Sequence, residues 1–121
     1  MKIAFCSQSD NTESKVDVRF GRAAFFGVYD DTAKQWKFVP NSQNLQAAQG
    51  AGIQAAQTII DEEVDALIAS NVGPKAMAAL GANQIAVFKI NSDVTLEQAL
   101  AEYQAGKLAK IQQANVEGHW V

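Results

Sequence analysis

Apolar residues along this chain follow two different periods, and the changes of period mark the elements. Ile3, Ala4, Phe5 and Cys6 form an unbroken apolar run, the pattern of a strand covered on both faces. The stretch 7–17 is polar and reads as a loop. Aromatic and β-branched residues cluster at 25–29 and again at 36–39, with Asp30, Asp31, Thr32, Ala33 and Lys34 between them. That arrangement predicts a β-hairpin, ended by Pro40. From 50 to 63 the spacing lengthens, and Ile53, Ala56, Ile60 and Val64 recur at three- and four-residue steps. This predicts a helix with those residues on its buried face.

Ala66, Leu67, Ile68 and Ala69 return to the fully apolar strand pattern. Asn71, Val72, Gly73 and Pro74 then open a second helix, since the N–H that proline lacks would be unpaired at the first helical position. Gly81 is placed to stop it, and the next strand follows at 85–88. Thr95 and Gln98 fit a capping box. It starts a third helix whose buried stripe is Leu96, Ala99, Leu100 and Tyr103 and which Gly106 closes. Alternating apolar strands and helices imply a parallel core, and the hairpin adds antiparallel pairing. The expected fold is therefore α/β, a mixed five-stranded sheet flanked by helices. A single domain spans 1–121, with its core at about 1–106 and a C-terminal tail at 107–121.

Composition narrows the function classes. The net charge is −3, and the ten Lys and Arg residues are spread along the chain without a basic run, which argues against general nucleic-acid binding. No apolar run approaches the roughly 20 residues of a membrane helix. The apolar start turns polar at Ser7, too soon for a signal-peptide core. A single cysteine makes no internal disulfide, which favours a reducing compartment, and the cytoplasm is the expected location. Catalytic readings find little: 2–7 holds no Asp or Glu, only Asp65 precedes the strand 66–69, and the one His and one Cys are far apart. A two-metal nuclease needs several converging carboxylates. Gly50 and Gly52 lack the third glycine and preceding apolar strand of a dinucleotide fingerprint. The Asp61, Glu62 and Glu63 run reads as a solvated stretch late in a helix. A non-enzymatic protein is expected.

Three segments carry a resemblance. Phe20, Gly21, Arg22 and Ala23, with Phe26 three residues on, resemble the "FGRA-x-x-F" signature of the dinitrogenase iron–molybdenum cofactor biosynthesis family. Gly50, Ala51, Gly52 and Ile53 resemble its "GAGI" helix start. The block from Asp65 through Ile68 to Gly73, Pro74, Lys75 and Ala76 resembles a third motif of that family, and the three occur in the family's order. The resemblance implies a ribonuclease-H-like motif without nuclease chemistry, as in nitrogenase accessory factors. It also implies kinship with cofactor carriers and with orange-protein-like domains that hold a molybdenum–copper sulfide cluster non-covalently. Some relatives carry a His-rich tail, whereas this chain has only Gly118, His119 and Trp120 there.

In an open α/β sheet, ligands bind beyond the carboxyl ends of the strands, next to helix starts. The loop after Cys6, the turn from Asn71 to Lys75 and the loop after Phe88 should converge there. Gly73 permits close backbone approach and the helix start aims N–H groups outward. Lys75 adds a charge, and the only two arginines, Arg19 and Arg22, flank Phe20 and Gly21. Arg19, Phe20, Gly21, Arg22, Asn71, Val72, Gly73, Pro74 and Lys75 are therefore the candidate cofactor-binding residues. The plainer alternative is that Gly73 and Pro74 merely start a helix and Arg22 merely pairs with a carboxylate. Cys6 and His119 are candidate metal ligands; Cys6 equally suits a buried strand position, and a tail histidine is commonly just solvated. Met77 reads as core. The expected ligand is an anionic metal–sulfur cluster, with molybdenum and iron or molybdenum and copper. The expected partners are that cluster and a donor or acceptor protein, with no nucleic acid and no membrane. The alternative role is an interaction module docking on a cofactor-assembly enzyme.

Overall fold

The computed structural model describes residues 1–41, 50–90 and 94–111. Its strands are β1 (Lys2–Ser7), β2 (Phe25–Asp30), β3 (Gln35–Pro40), β4 (Ala66–Ala69), β5 (Ala86–Lys89) and β6 (Ala109–Ile111). Its helices are α1 (Ala51–Asp61), α2 (Pro74–Ala82) and α3 (Leu96–Gln104). The strands form one mixed sheet in the order β3-β2-β1-β4-β5-β6. β1 pairs in parallel with β4, and β4 with β5. On the other side of β1 the β2–β3 hairpin runs antiparallel. The two runs with no polar face are therefore neighbours at the centre of the sheet, as their composition requires.

Alternate residues of each strand feed two cores. Ala4, Cys6, Phe26, Val28, Leu67, Ala69 and Val87 face α1 and α2, where they meet Ala55, Ala56, Ile59, Ala76 and Leu80. Ile3, Phe5, Ala66 and Ile68 face the other way, against Leu96 and Ala99 of α3. Trp36 extends this second core across the hairpin, with ring centroids 5.3 Å from Phe5 and 5.1 Å from Tyr29. At the hairpin turn one oxygen of Asp30 accepts the N–H groups of Thr32 and Ala33. Those bonds stabilise the ionised carboxylate and lower its pKa. The capping box forms as its sequence predicts: Gln98 N–H donates to the Thr95 hydroxyl at 3.2 Å, and Thr95 N–H to the Gln98 side chain at 2.9 Å.

Four features depart from the sequence pattern. The sheet has six strands rather than five, because Ala109, Lys110 and Ile111 pair antiparallel with β5. A three-residue strand is too short to show a period, so this piece reads as tail. The buried face of α1 is Ala51, Gly52, Ala55, Ala56 and Ile59, while Ile53 points outward, 39% exposed. Alanine carries little hydrophobic signal, so the isoleucines draw the predicted stripe off the true one. The helix also ends earlier, at Asp61, with Glu63 left-handed at φ 58°. Gly81 does not stop α2, which runs to Ala82; the left-handed residue after it is Gln84, φ 59°. Gly106 does close α3, at φ 72°, a conformation that glycine adopts without a β-carbon penalty.

The corrected face of α1 has a direct test in urea unfolding. Ile59→Ala should lose about 2–5 kcal/mol, as for a buried isoleucine truncation. Ile53→Ala should stay within about 0.5 kcal/mol of the parent, as for an exposed position.

Candidate functional site

The chain turns back at the carboxyl end of β1 and extends the sheet there. Val16 bridges to Ser7, and the Asp17 N–H donates to the Cys6 carbonyl at 2.9 Å. The Val16 N–H also donates to the Val94 carbonyl at 2.9 Å, tying this loop to the segment before α3. At the end of β4, the Ser70 hydroxyl donates to the Ile90 carbonyl. The three loops expected to converge beyond the strand ends are thus joined by hydrogen bonds.

From Asp17 the chain crosses to the end of β4. Arg19 pairs with Asn71 in a parallel bridge, and the Phe20 N–H donates to the Asn71 carbonyl at 3.4 Å. A 3-10 turn follows at Phe20–Arg22. Its Phe20 ring is buried, 5.7 Å from the Phe26 ring, and anchors the turn in the core shared with α1 and α2. Gly21 lies against the first turn of α1, where a β-carbon would stand 3.0 Å from the Gly52 nitrogen and 3.2 Å from the Ala51 carbonyl carbon. The glycine of the first motif therefore serves contact with the second motif. The wholly buried Asn41 clamps the turn from behind, its side-chain N–H donating to the Ala23 carbonyl at 2.9 Å. The Asn41 backbone N–H donates to the Ala24 carbonyl at 2.9 Å.

Both helix starts flank this turn. α1 begins after Gly50, left-handed at φ 78°, and α2 after Gly73, extended at φ −81°, and neither has a side-chain cap. The first N–H groups of each helix have no intrahelical acceptor and carry the positive end of the helix dipole. Pro74 occupies the first position of α2, and Lys75 beside it is exposed. The Arg19 side chain is 52% exposed and leans on Asp17. Arg22 is half-buried and Asn71 half-buried, whereas Val72 is fully buried and belongs to the core. The candidate residues are thus brought to one place but divide into anchors, Phe20 and Val72, and surface cations, Arg19 and Lys75.

The proposed metal ligands fare differently. Cys6 is completely buried between β1 and the α1–α2 layer. Desolvation, and then the nearby Asp17 charge, push its thiol far above the ordinary range. A thiol so held stays protonated at neutral pH, and the thiolate is the form that ligates metal. His119 lies outside the described residues. Among the described residues no cluster of three or more His, Cys, Asp or Glu is placed to hold a metal ion. A groove of about 450 Å³ runs between α2 and β5–β6, lined by Met77, Gly81, Ile85, Val87, Lys110 and Ile111. It shares no residue with the motif turn and carries no comparable charge arrangement, so shape alone does not place the site there. Met77 packs at the edge of the core, as expected.

Sequence reading misses Asp17 and Asn41. One sits in a polar loop and the other follows a strand-ending proline, and nothing in their spacing shows that both are buried.

Known proteins place the chain clearly. The model of the family described as dinitrogenase iron–molybdenum cofactor matches residues 1–106. The apo form of the orange protein from Desulfovibrio gigas is 33% identical, with a TM-score of 0.91 over 95% of this chain and 96% of that one. A protein from Thermotoga provisionally named NifB is 30% identical, with a TM-score of 0.84 over 97% and 98% of the two chains. A Methanocaldococcus jannaschii protein provisionally named a dinitrogenase shares the fold, with a TM-score of 0.66 at 18% identity over 93% and 96%. No curated protein gives a significant match.

Two outcomes follow from this geometry. Gly21→Ala should cost about 1–3 kcal/mol, as overpacking does, and should shift the Ala51 and Gly52 amide signals in a heteronuclear NMR spectrum. Cys6 should resist iodoacetamide at pH 8 in the native protein and react fully in guanidinium; brisk native labelling would show that the thiol is reachable.

Proposed function

Because the chain belongs to the dinitrogenase iron–molybdenum cofactor family, we propose that it is a non-catalytic carrier of an anionic metal–sulfur cluster. The cluster is of the iron–molybdenum precursor or molybdenum–copper sulfide kind, held beyond the carboxyl ends of β1 and β4. One observation carries this reading: the three family motifs meet at a single turn, through the Arg19–Asn71 bridge and the Gly21–Gly52 contact. That meeting sets two uncapped helix starts and the exposed cations Arg19 and Lys75 around one patch.

The energetics suit a reversible carrier. A helix end contributes up to about 2 kcal/mol toward an anion, and each hydrogen bond to a charged group about 1.5–3 kcal/mol. Two or three such contacts reach the roughly 8 kcal/mol of micromolar affinity. Sulfide sulfurs bearing negative charge would meet N–H groups and cations, and Cys6 would serve packing. Among the described residues, Asp10 and Asp65 do not converge as a two-metal nuclease requires. Asp10 follows β1, while Asp65 precedes β4 and accepts the Lys2 N–H at the opposite end of those parallel strands. Among the described residues no helix is long and apolar enough to cross a membrane.

A second reading, docking on a cluster donor or acceptor, gains from two side chains. Val18 and Ile53 are 46% and 39% exposed, and stand in the loop before the turn and in the first turn of α1. They suit a rim across which cargo would pass between proteins.

Anaerobic titration of the apo-protein with tetrathiomolybdate and copper, followed by absorbance, tests the carrier reading. Lys75→Ala and Arg22→Ala should weaken binding about five- to tenfold, with a steep dependence on salt, while Cys6→Ser keeps most of it. Loss of binding with Cys6→Ser alone would mark a thiolate–metal centre instead. If the wild-type protein binds no thiometallate, docking becomes the better account.

A further inference from the structure

Resting on that reading, we infer that Asp17 is a positioning residue with two separable roles: it shapes the Arg19 turn, and it competes with the bound anion for the Arg19 guanidinium. Asp17 is only 9% exposed, although it lies at the edge of the patch. One of its oxygens, Oδ1, serves both contacts. It accepts the Arg19 backbone N–H at 2.9 Å and lies 3.7 Å from Arg19 Nε. The first contact needs an acceptor oxygen and no charge. The second is an ion pair, 12% exposed at the carboxylate and 52% at the arginine, so water screens it in part.

A cluster that engages Arg19 must draw the guanidinium from Asp17 Oδ1 and then sit near an uncompensated carboxylate. Asp17 therefore lowers the affinity of the site it helps to build. For a carrier this has a use: cargo is held reversibly, and Arg19 has an internal partner to return to when the cluster leaves. The carboxylate also explains why a site for an anion contains a buried acid.

Asparagine at this position keeps the acceptor oxygen and removes the charge; alanine removes both. In the ligand-free protein, amide hydrogen exchange at Arg19 should match wild type in Asp17→Asn and accelerate in Asp17→Ala. Titration with tetrathiomolybdate, with and without copper, should show Asp17→Asn binding about five times more tightly than wild type, the upper range for a partly exposed ion pair. Asp17→Ala should bind less tightly than Asp17→Asn, because its turn is loosened. If wild type binds and Asp17→Asn binds equally or more weakly, the competition is wrong while the carrier reading stands. If Asp17→Asn binds and wild type does not, the competition is upheld and the carrier reading fails. Binding by neither overturns both, and rapid Arg19 exchange in Asp17→Asn overturns the shared-oxygen geometry.

Discussion

Gly21 lies so near the backbone of Ala51 and Gly52 that a β-carbon would come within 3.0 Å of an amide nitrogen. Contacts that tight are available only where both sides are nearly bare, and the sequence makes both bare, with Gly21 on the turn and Ala51-Gly52 at the start of α1. The same economy runs down the helix, where Ala55 and Ala56 let α1 settle close on the sheet. Close seating of α1 holds the 3-10 turn between helix and sheet. That turn in turn carries Arg19 to the end of β4, where it pairs with Asn71. Moving the turn by a few tenths of an ångström would disturb the relation between the cations and both helix starts.

Around that contact the motif residues divide their work by burial. Phe20 and Val72 go into the core and fix the two segments in depth. Asn41 and Asp17, both buried, meet the polar backbone of the turn: Asn41 donates to its carbonyls, and Asp17 accepts the Arg19 N–H. Unpaired, those backbone groups would each cost about 1–3 kcal/mol. What remains at the surface is charge and N–H. A protein of net charge −3 thereby sets Arg19 and Lys75 beside two uncapped helix starts, features that favour an anion.

Much of this was legible in the sequence wherever one residue's type settled its place. The all-apolar runs at β1 and β4 could only be central strands, and the Thr95–Gln98 box could only start a helix. The arginines and the glycine–proline turn were expected to meet beyond the carboxyl ends of the central strands, and they do. Features that depend on partners distant in sequence were not legible. Asn41 binds carbonyls of residues 18 and 20 positions earlier, and nothing local to Asn41 announces it. The true face of α1 is written in alanine and glycine, which hydrophobic patterning underweights, so Ile53 seemed a core residue. Cys6 shows the opposite case. Its apolar neighbours predicted burial, and that burial raises the thiol pKa and so disfavours the thiolate that a metal would need.

The proposed carrier role places anion recognition at the motif turn and the two helix starts, and neither at the cysteine nor in the groove beside α2. Amide chemical-shift mapping on the ¹⁵N-labelled protein, as tetrathiomolybdate is added anaerobically, tests it most directly. The largest shifts should fall on Arg19, Gly21, Arg22, Gly52, Ile53, Lys75 and Ala76, with Val87 and Ile111 unmoved. Shifts centred on Val87, Lys110 and Ile111, or confined to Cys6 and its strand neighbours, would contradict it.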